Sequence, residues 1–131
     1  MRTGQSDHSS LREIAVTARV LLVDDDREIC EFLVTLLELE GLTTRVAHSA
    51  AAAMASLEGI DAVLLDVAMP DVDGFELCRR MRGAGFAGPI LVVSARPGPD
   101  LPRKAAESGA NGFVRKPFDN AELLTRIRSL L

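Results

Sequence analysis

Short apolar runs closed by charged residues alternate with segments of helical periodicity from residue 19 to the end, and this alternation constrains the fold more than any other property of the chain. Val20-Leu21-Leu22-Val23 runs into Asp24 and Asp25. Ala62-Val63-Leu64-Leu65 runs into Asp66, and Gly112-Phe113-Val114 comes just before Lys116-Pro117. Such runs are too short for helices and apolar at successive positions, as strands buried on both faces are. Residues 42–47 and Ile90 to Val93 read as two further strands. Helical spacing lies between them. From Arg27 to Glu40, residues Ile29, Phe32, Leu33, Leu36 and Leu37 recur at i, i+3, i+4, i+7 and i+8, and Gly41 supplies a stop. Ser49 is placed to cap an alanine-rich helix over 50–58. Phe75 to Arg82 fits a third helix and residues 100–108 a fourth, whose start is blurred by Pro97, Pro99 and Pro102. Asp119 caps a last helix, with Glu122 three residues on as in a capping box. Strands and helices in strict alternation argue an α/β fold, a parallel sheet with helices on both sides.

In such a sheet the residues that close the strands gather at one carboxyl edge, where open α/β sheets bind ligands. Asp24, Asp25, Asp66 and Lys116 would then share one site. Clustered carboxylates repel unless a cation joins them, so the pattern calls for a divalent metal with Lys116 as a second positive charge. That is a site suited to metal-assisted phosphoryl chemistry.

Composition narrows the alternatives. With 131 residues the chain can build one sizeable core. A net charge of −4 without a basic patch argues against direct nucleic-acid binding, and the absence of Trp and Tyr leaves little for stacking bases. No apolar stretch is long enough to span a bilayer, and MRTGQSDHSS lacks the apolar core of a secretory signal. Cys30 and Cys78 have no metal-ligand spacing and read as reduced helix residues, in keeping with a cytoplasmic location. Residues 1–18 read as an N-terminal extension, with 11–18 compatible with helix or strand, and 19–131 as the domain. Gly83-Ala84-Gly85-Phe86-Ala87-Gly88 spells GxGxxG but leaves a helix and enters a strand, the reverse of the dinucleotide fingerprint. His8 and His48 read as surface residues without a Ser, Cys or acidic partner.

Taken in order, LLVDDD, LLDVAMPDVDG, PILVVSA and GANGFVRKPF resemble the receiver domain of two-component response regulators over about residues 19–131. The resemblance implies a doubly wound, five-stranded, flavodoxin-like (βα)5 domain with strand order 2-1-3-4-5. It implies that Asp66 is the phosphoryl acceptor, and that Asp25 and Asp66 bind Mg²⁺ with Asp24 acting partly through water. The backbone carbonyl of Ala68 would complete the ligand set. Asp26 would open the first helix. Lys116 would pair with Asp66 and then with the phosphoryl oxygens, its bond to Pro117 being cis. Ser94 would donate to a phosphoryl oxygen, and Phe113 would stand at the aromatic position coupled to switching. Ala68 and Arg96 occupy positions that influence the attacking water in relatives, and Ala68 can orient none.

The implied partners are a sensor histidine kinase or histidine phosphotransfer protein. The face made by the fourth helix, fifth strand and fifth helix would dock a target or a second copy on phosphorylation. Such a chain is a signalling switch with autophosphorylation and autodephosphorylation activity more than a turnover enzyme, working alone or as the receiver part of a longer regulator such as a DNA-binding one. Two rivals stay open. An aspartyl-phosphate phosphatase would want a second Asp where Ala68 stands, and a pseudo-receiver would act by protein contacts alone.

Overall fold

In a computed structural model, residues 18–131 form one α/β layer structure; the expectations for residues 1–17, His8 among them, lie outside the described residues. Five strands, β1 (Arg19–Val23), β2 (Thr43–Ala47), β3 (Ala62–Leu65), β4 (Ile90–Ser94) and β5 (Gly112–Arg115), pair in parallel in the order β2-β1-β3-β4-β5. The connecting helices are α1 (Arg27–Leu39), α2 (Ala50–Ala55), α3 (Gly74–Gly83), α4 (Leu101–Glu107) and α5 (Asn120–Leu130). Both the flavodoxin-like order and the strict alternation are as the sequence reading has them.

The strands are apolar on both faces because helices cover both. Successive side chains of a strand point to opposite sides. Leu21, Val23, Val63 and Leu65 therefore pack with Leu77, Cys78 and Met81 of α3 and Ala50 and Ala53 of α2. Val20, Leu22, Ala62 and Leu64 meet Leu33 and Leu37 of α1 and Leu123 and Ile127 of α5. Val92 turns instead to Leu101 and Ala105 of α4, with Val67 and Phe75. Each fully buried leucine or isoleucine contributes about 1.5–3 kcal/mol by leaving water, which makes this double-sided core the main support of the sheet edge above it.

Local chemistry sets the ends of the elements. Asp26 caps α1, its Oδ1 accepting from the N–H groups of Glu28 (3.0 Å) and Ile29 (3.2 Å). At the other end Gly41 takes a φ of 88°. The Gly41 N–H reaches the Glu38 carbonyl and the Leu42 N–H the Leu37 carbonyl, a Schellman stop. Leu42 is thereby spent on the helix end, so β2 begins one residue later than expected. β4 runs one residue beyond its apolar stretch because Ser94 pairs with Arg115.

Helix α2 is the largest departure, ending at Ala55 where residues 50–58 were expected. Arg45 of β2 donates to the carbonyls of Ser56 (2.7 Å) and Glu58 (2.9 Å), which hold the chain just past the helix in the turn that leads to β3. Helix α4 starts after Asp100, whose side chain makes no cap bond. Asp119 caps α5 through the Ala121 N–H. The GxGxxG letters do lie between α3 and β4.

Candidate functional site at the carboxyl edge of the sheet

Because β1 and β3 are hydrogen-bonded neighbours in register, with Val23 opposite Leu65, the residues that follow them are neighbours too. Oxygen atoms of Asp24, Asp25 and Asp66 come within 4.8 Å of one another. Asp24 and Asp66 are buried, whereas Asp25 is exposed at the mouth. Lys116, just past the end of β5, crosses the top of the sheet to reach both buried carboxylates. Its peptide bond to Pro117 is cis, as expected, and its N–H donates to the Ser94 carbonyl at 2.9 Å.

The amine does not favour the partner expected for it. Lys116 Nζ lies 2.7 Å from Asp24 Oδ2 and 3.4 Å from Asp66 Oδ2. Asp24 is the closer partner. Burial pushes its carboxyl above the ordinary carboxylate range, and hydrogen bonds from Lys116 and from the Asp26 N–H (2.9 Å) only partly offset this. For Lys116, burial alone would pull the amine down, but Asp24 first and Asp66 second more than reverse it, leaving it above the ordinary lysine value. The stability from this pairing is therefore complete below the usual lysine range and is lost as pH rises through the elevated value.

Asp66 is aimed by its own loop. Its Oδ1 accepts from the Ala68 N–H at 2.9 Å, leaving Oδ2 toward the lysine. The loop folds back tightly at Gly74, whose N–H meets the Val67 carbonyl at 3.2 Å. A Cβ on Gly74 would stand 2.1 Å from the Val67 backbone, so no other residue fits there without moving the loop. Asp73 caps α3 through Phe75 and faces Arg96 at 3.6 Å, and Asp71 accepts from the Ala50 N–H at α2.

Ser94 is fully buried at the end of β4, where its Oγ accepts from the Arg96 N–H at 3.2 Å. Its hydroxyl proton remains free to turn toward an oxygen at the pocket. Phe113 is half-buried against the α4 cluster. Arg115, which the sequence reading passed over, stacks on that ring at 5.3 Å and donates to the carbonyls of Arg96 (3.0 Å) and Gly98 (3.1 Å). It thereby holds the loop that follows Ser94.

One expectation needs correction. His48 is not an unpartnered surface residue. It is half-buried, with Nδ1 3.0 Å from the Asp24 carbonyl oxygen and 3.9 Å from Cys30 Sγ. Nothing in the local sequence signals this, because the contact depends on the β1–β2 register.

The donor set fits a hard divalent cation. Opposite ligands of octahedral Mg²⁺ are about 4.2 Å apart, so three carboxylate oxygens within 4.8 Å need only small shifts to share one ion. All three are oxygen donors, and the exposed Asp25 leaves room for water ligands.

A doubly wound sheet thus carries an acidic nest and a lysine at its carboxyl edge, and comparison with known proteins names the class. The family model described as "Response regulator receiver domain" matches residues 20–128. Response regulator MprA of Mycobacterium tuberculosis is 41% identical over 118 residues, 88% of this chain and 51% of MprA. MprA of Mycobacterium avium is 41% identical over 115 residues, 86% of this chain and 50% of its own. The chain thus spans about half the length of these relatives. Among solved structures, the BeF3-activated N-terminal receiver domain of Klebsiella pneumoniae RstA is 29% identical with a TM-score of 0.81, covering 86% of this chain and 97% of that one. A two-component response regulator from Clostridium difficile shares the fold, with a TM-score of 0.83 at 22% identity, covering 87% and 95%.

The chain belongs to the response regulator receiver domain family. Receiver domains of two-component systems are phosphorylated on an aspartate, bind Mg²⁺ at an acidic cluster and interact with histidine kinases. No described helix is long and apolar enough to cross a membrane.

Proposed function

We propose that this chain takes a phosphoryl group onto Asp66 from a histidine kinase or phosphotransfer protein and signals through the loop and face beyond Ser94. The observation that carries this reading is the position of Asp66 Oδ2. It is buried, 3.4 Å from Lys116 Nζ, and belongs to a trio of carboxylates within reach of one cation. Asp24, Asp25 and Asp66, with the Ala68 carbonyl, would hold Mg²⁺. When bound, Mg²⁺ supplies the positive charge that lets two anions meet.

The residues of the chain provide positioning and charge. An Asp66 oxygen forms the new O–P bond while the P–N bond of the phosphohistidine breaks, and the leaving electron pair stays on the donor imidazole. Lys116 shifts its ammonium from Asp24 toward the transferred oxygens. Ser94 turns its hydroxyl proton to one of them, and the loop held by Arg115 and the half-buried Phe113 follow. The two arrangements exist beforehand, and phosphorylation favours the one in which these contacts are made. The face of α4, β5 and α5 then docks a target or a second copy. At the phosphatase alternative's general-acid position stands Ala68, which carries no proton to donate.

The test is labelling by acetyl phosphate. Wild type takes up one phosphoryl group in the presence of Mg²⁺ and none in EDTA, and Asp66→Asn lowers the rate by at least about a hundredfold. Labelling that persists in Asp66→Asn would place the acceptor elsewhere.

A further inference from the structure

We propose that His48 is a positioning residue for the metal-binding turn, its Nδ1–H fixing the peptide that joins Asp24 to Asp25. This rests on the reading of Asp24, Asp25 and Asp66 as a Mg²⁺ site. β1 ends at Val23, so the Asp24 carbonyl leaves the strand ladder while still buried, and such a carbonyl must find donors. Two arrive from different elements: His48 Nδ1 at 3.0 Å, from just past β2, and Cys30 Sγ at 3.5 Å, from α1. A carbonyl oxygen can only accept, so in this contact Nδ1 carries a proton.

The register explains why His48 is the residue that reaches. Asp24 N–H donates to the Ala47 carbonyl at 3.1 Å, which places the next residue of that chain beside the Asp24 carbonyl. Asp24 is then held at every polar group, its carboxylate by Asp26 N–H and Lys116. Asp25 differs. It is exposed, and among the described residues its carboxylate accepts no hydrogen bond. Its aim is set by the plane of the peptide before it, and His48 and Cys30 grip that plane by its oxygen. The thiol is a weak donor and burial keeps it protonated, its pKa pushed up to about 11 by burial and then by Asp24's charge. The imidazole is the stronger of the two holds. Groups behind metal ligands commonly tune affinity in this way.

Calorimetric titration with Mg²⁺ tests the proposal, using wild type, His48→Leu, which removes the donor, and His48→Asn, whose amide nitrogen can take the place of Nδ1. The chain has no Trp or Tyr to report binding by fluorescence. Thermal unfolding in EDTA runs alongside. A general loss of stability leaves the affinity of the folded fraction unchanged, so affinity separates positioning from packing. His48→Leu should weaken Mg²⁺ binding about threefold to tenfold, the scale of one hydrogen bond, and His48→Asn should restore most of it. Unchanged affinity in His48→Leu overturns the proposal, as does an equal loss in both variants. Failure of wild type itself to bind Mg²⁺ removes the metal reading instead. Should His48→Leu not fold, nitrogen NMR of the wild-type ring at pH 8 decides, because an Nδ1–H tautomer supports the assignment and an Nε2–H tautomer contradicts it.

Discussion

The two rims of the sheet treat their polar groups in opposite ways. At the amino rim Arg82, from the end of α3, donates to the carbonyls of Gly109 (2.9 Å), Phe86 (2.8 Å) and Gly88 (2.7 Å) and to Asn111 Oδ1 (2.8 Å). The same Asn111 oxygen accepts from Ile90 N–H, and Asp61 accepts from Arg19 N–H. One guanidinium there meets four acceptors, so the α3–β4 and α4–β5 loops are stitched together. At the carboxyl rim three carboxylates face one ammonium, and burial penalises the charge on Asp24. One rim is satisfied and the other holds surplus negative charge. The surplus costs stability, and it is what makes the second rim able to attract a cation.

Mutations should separate the rims. Arg82→Met carries the largest expected effect on stability, a loss of about 2–4 kcal/mol by denaturant unfolding, because several half-buried acceptors lose a charged donor together. Labelling by acetyl phosphate should stay within about twofold of wild type. A large drop in labelling of the folded variant would mean that the rims are coupled. Asp24→Asn should act in the other direction. In EDTA at neutral pH it should stabilise the fold by about 1 kcal/mol, since an amide oxygen keeps one of the two hydrogen bonds, which now fall on separate oxygens, while the cost of a buried charge is removed and Lys116 keeps Asp66; it should weaken Mg²⁺ binding at the same time. Destabilisation would show that the ion pair with Lys116 outweighs the burial.

The pH dependence follows from the same carboxyl. Its native value is raised, so in EDTA its contribution to stability is complete below the ordinary carboxylate value of 3.8 and is lost as pH rises through the native one. Mg²⁺ needs the ionised form, so affinity should begin to fail at a higher pH than for an ordinary carboxylate pair, as calorimetry at stepped pH would show. The smallest effect is kinetic. Ala68 offers no side chain to orient water, and Ala68→Asn should speed decay of the acyl phosphate by up to about tenfold. An unchanged half-life would remove position 68 from the control of lifetime.

What was legible in the sequence follows from how information is stored at each rim. Asp24, Asp25, Asp66, Ser94 and Lys116 stand at or just beyond strand ends, so recognising β1, β3, β4 and β5 is enough to bring them to one edge. Backbone order alone does that. The clasps were not legible, because Arg45, Arg82 and Arg115 act through long side chains that reach carbonyls of other loops, and a carbonyl has no sequence signature. His48 was missed for the same reason, since its partner is the backbone of Asp24. The preference of Lys116 for Asp24 over Asp66 is a matter of side-chain geometry across the sheet edge, which spacing does not encode. The early end of α2 is not legible either, because alanine propensity runs past Ala55 while the turn after it is held by Arg45 from another strand.

Paramagnetic broadening by Mn²⁺, a close stand-in for Mg²⁺ in oxygen sites, tests the central claim most directly. In nitrogen–proton NMR spectra, substoichiometric Mn²⁺ should broaden the amides of Asp24, Asp25, Asp66, Ala68 and Lys116 first. Those of Gly85 to Gly88 and Gly109 to Asn111, at the opposite rim, should stay sharp. Broadening spread over the acidic surface, or centred away from the Asp66 loop, would contradict the account.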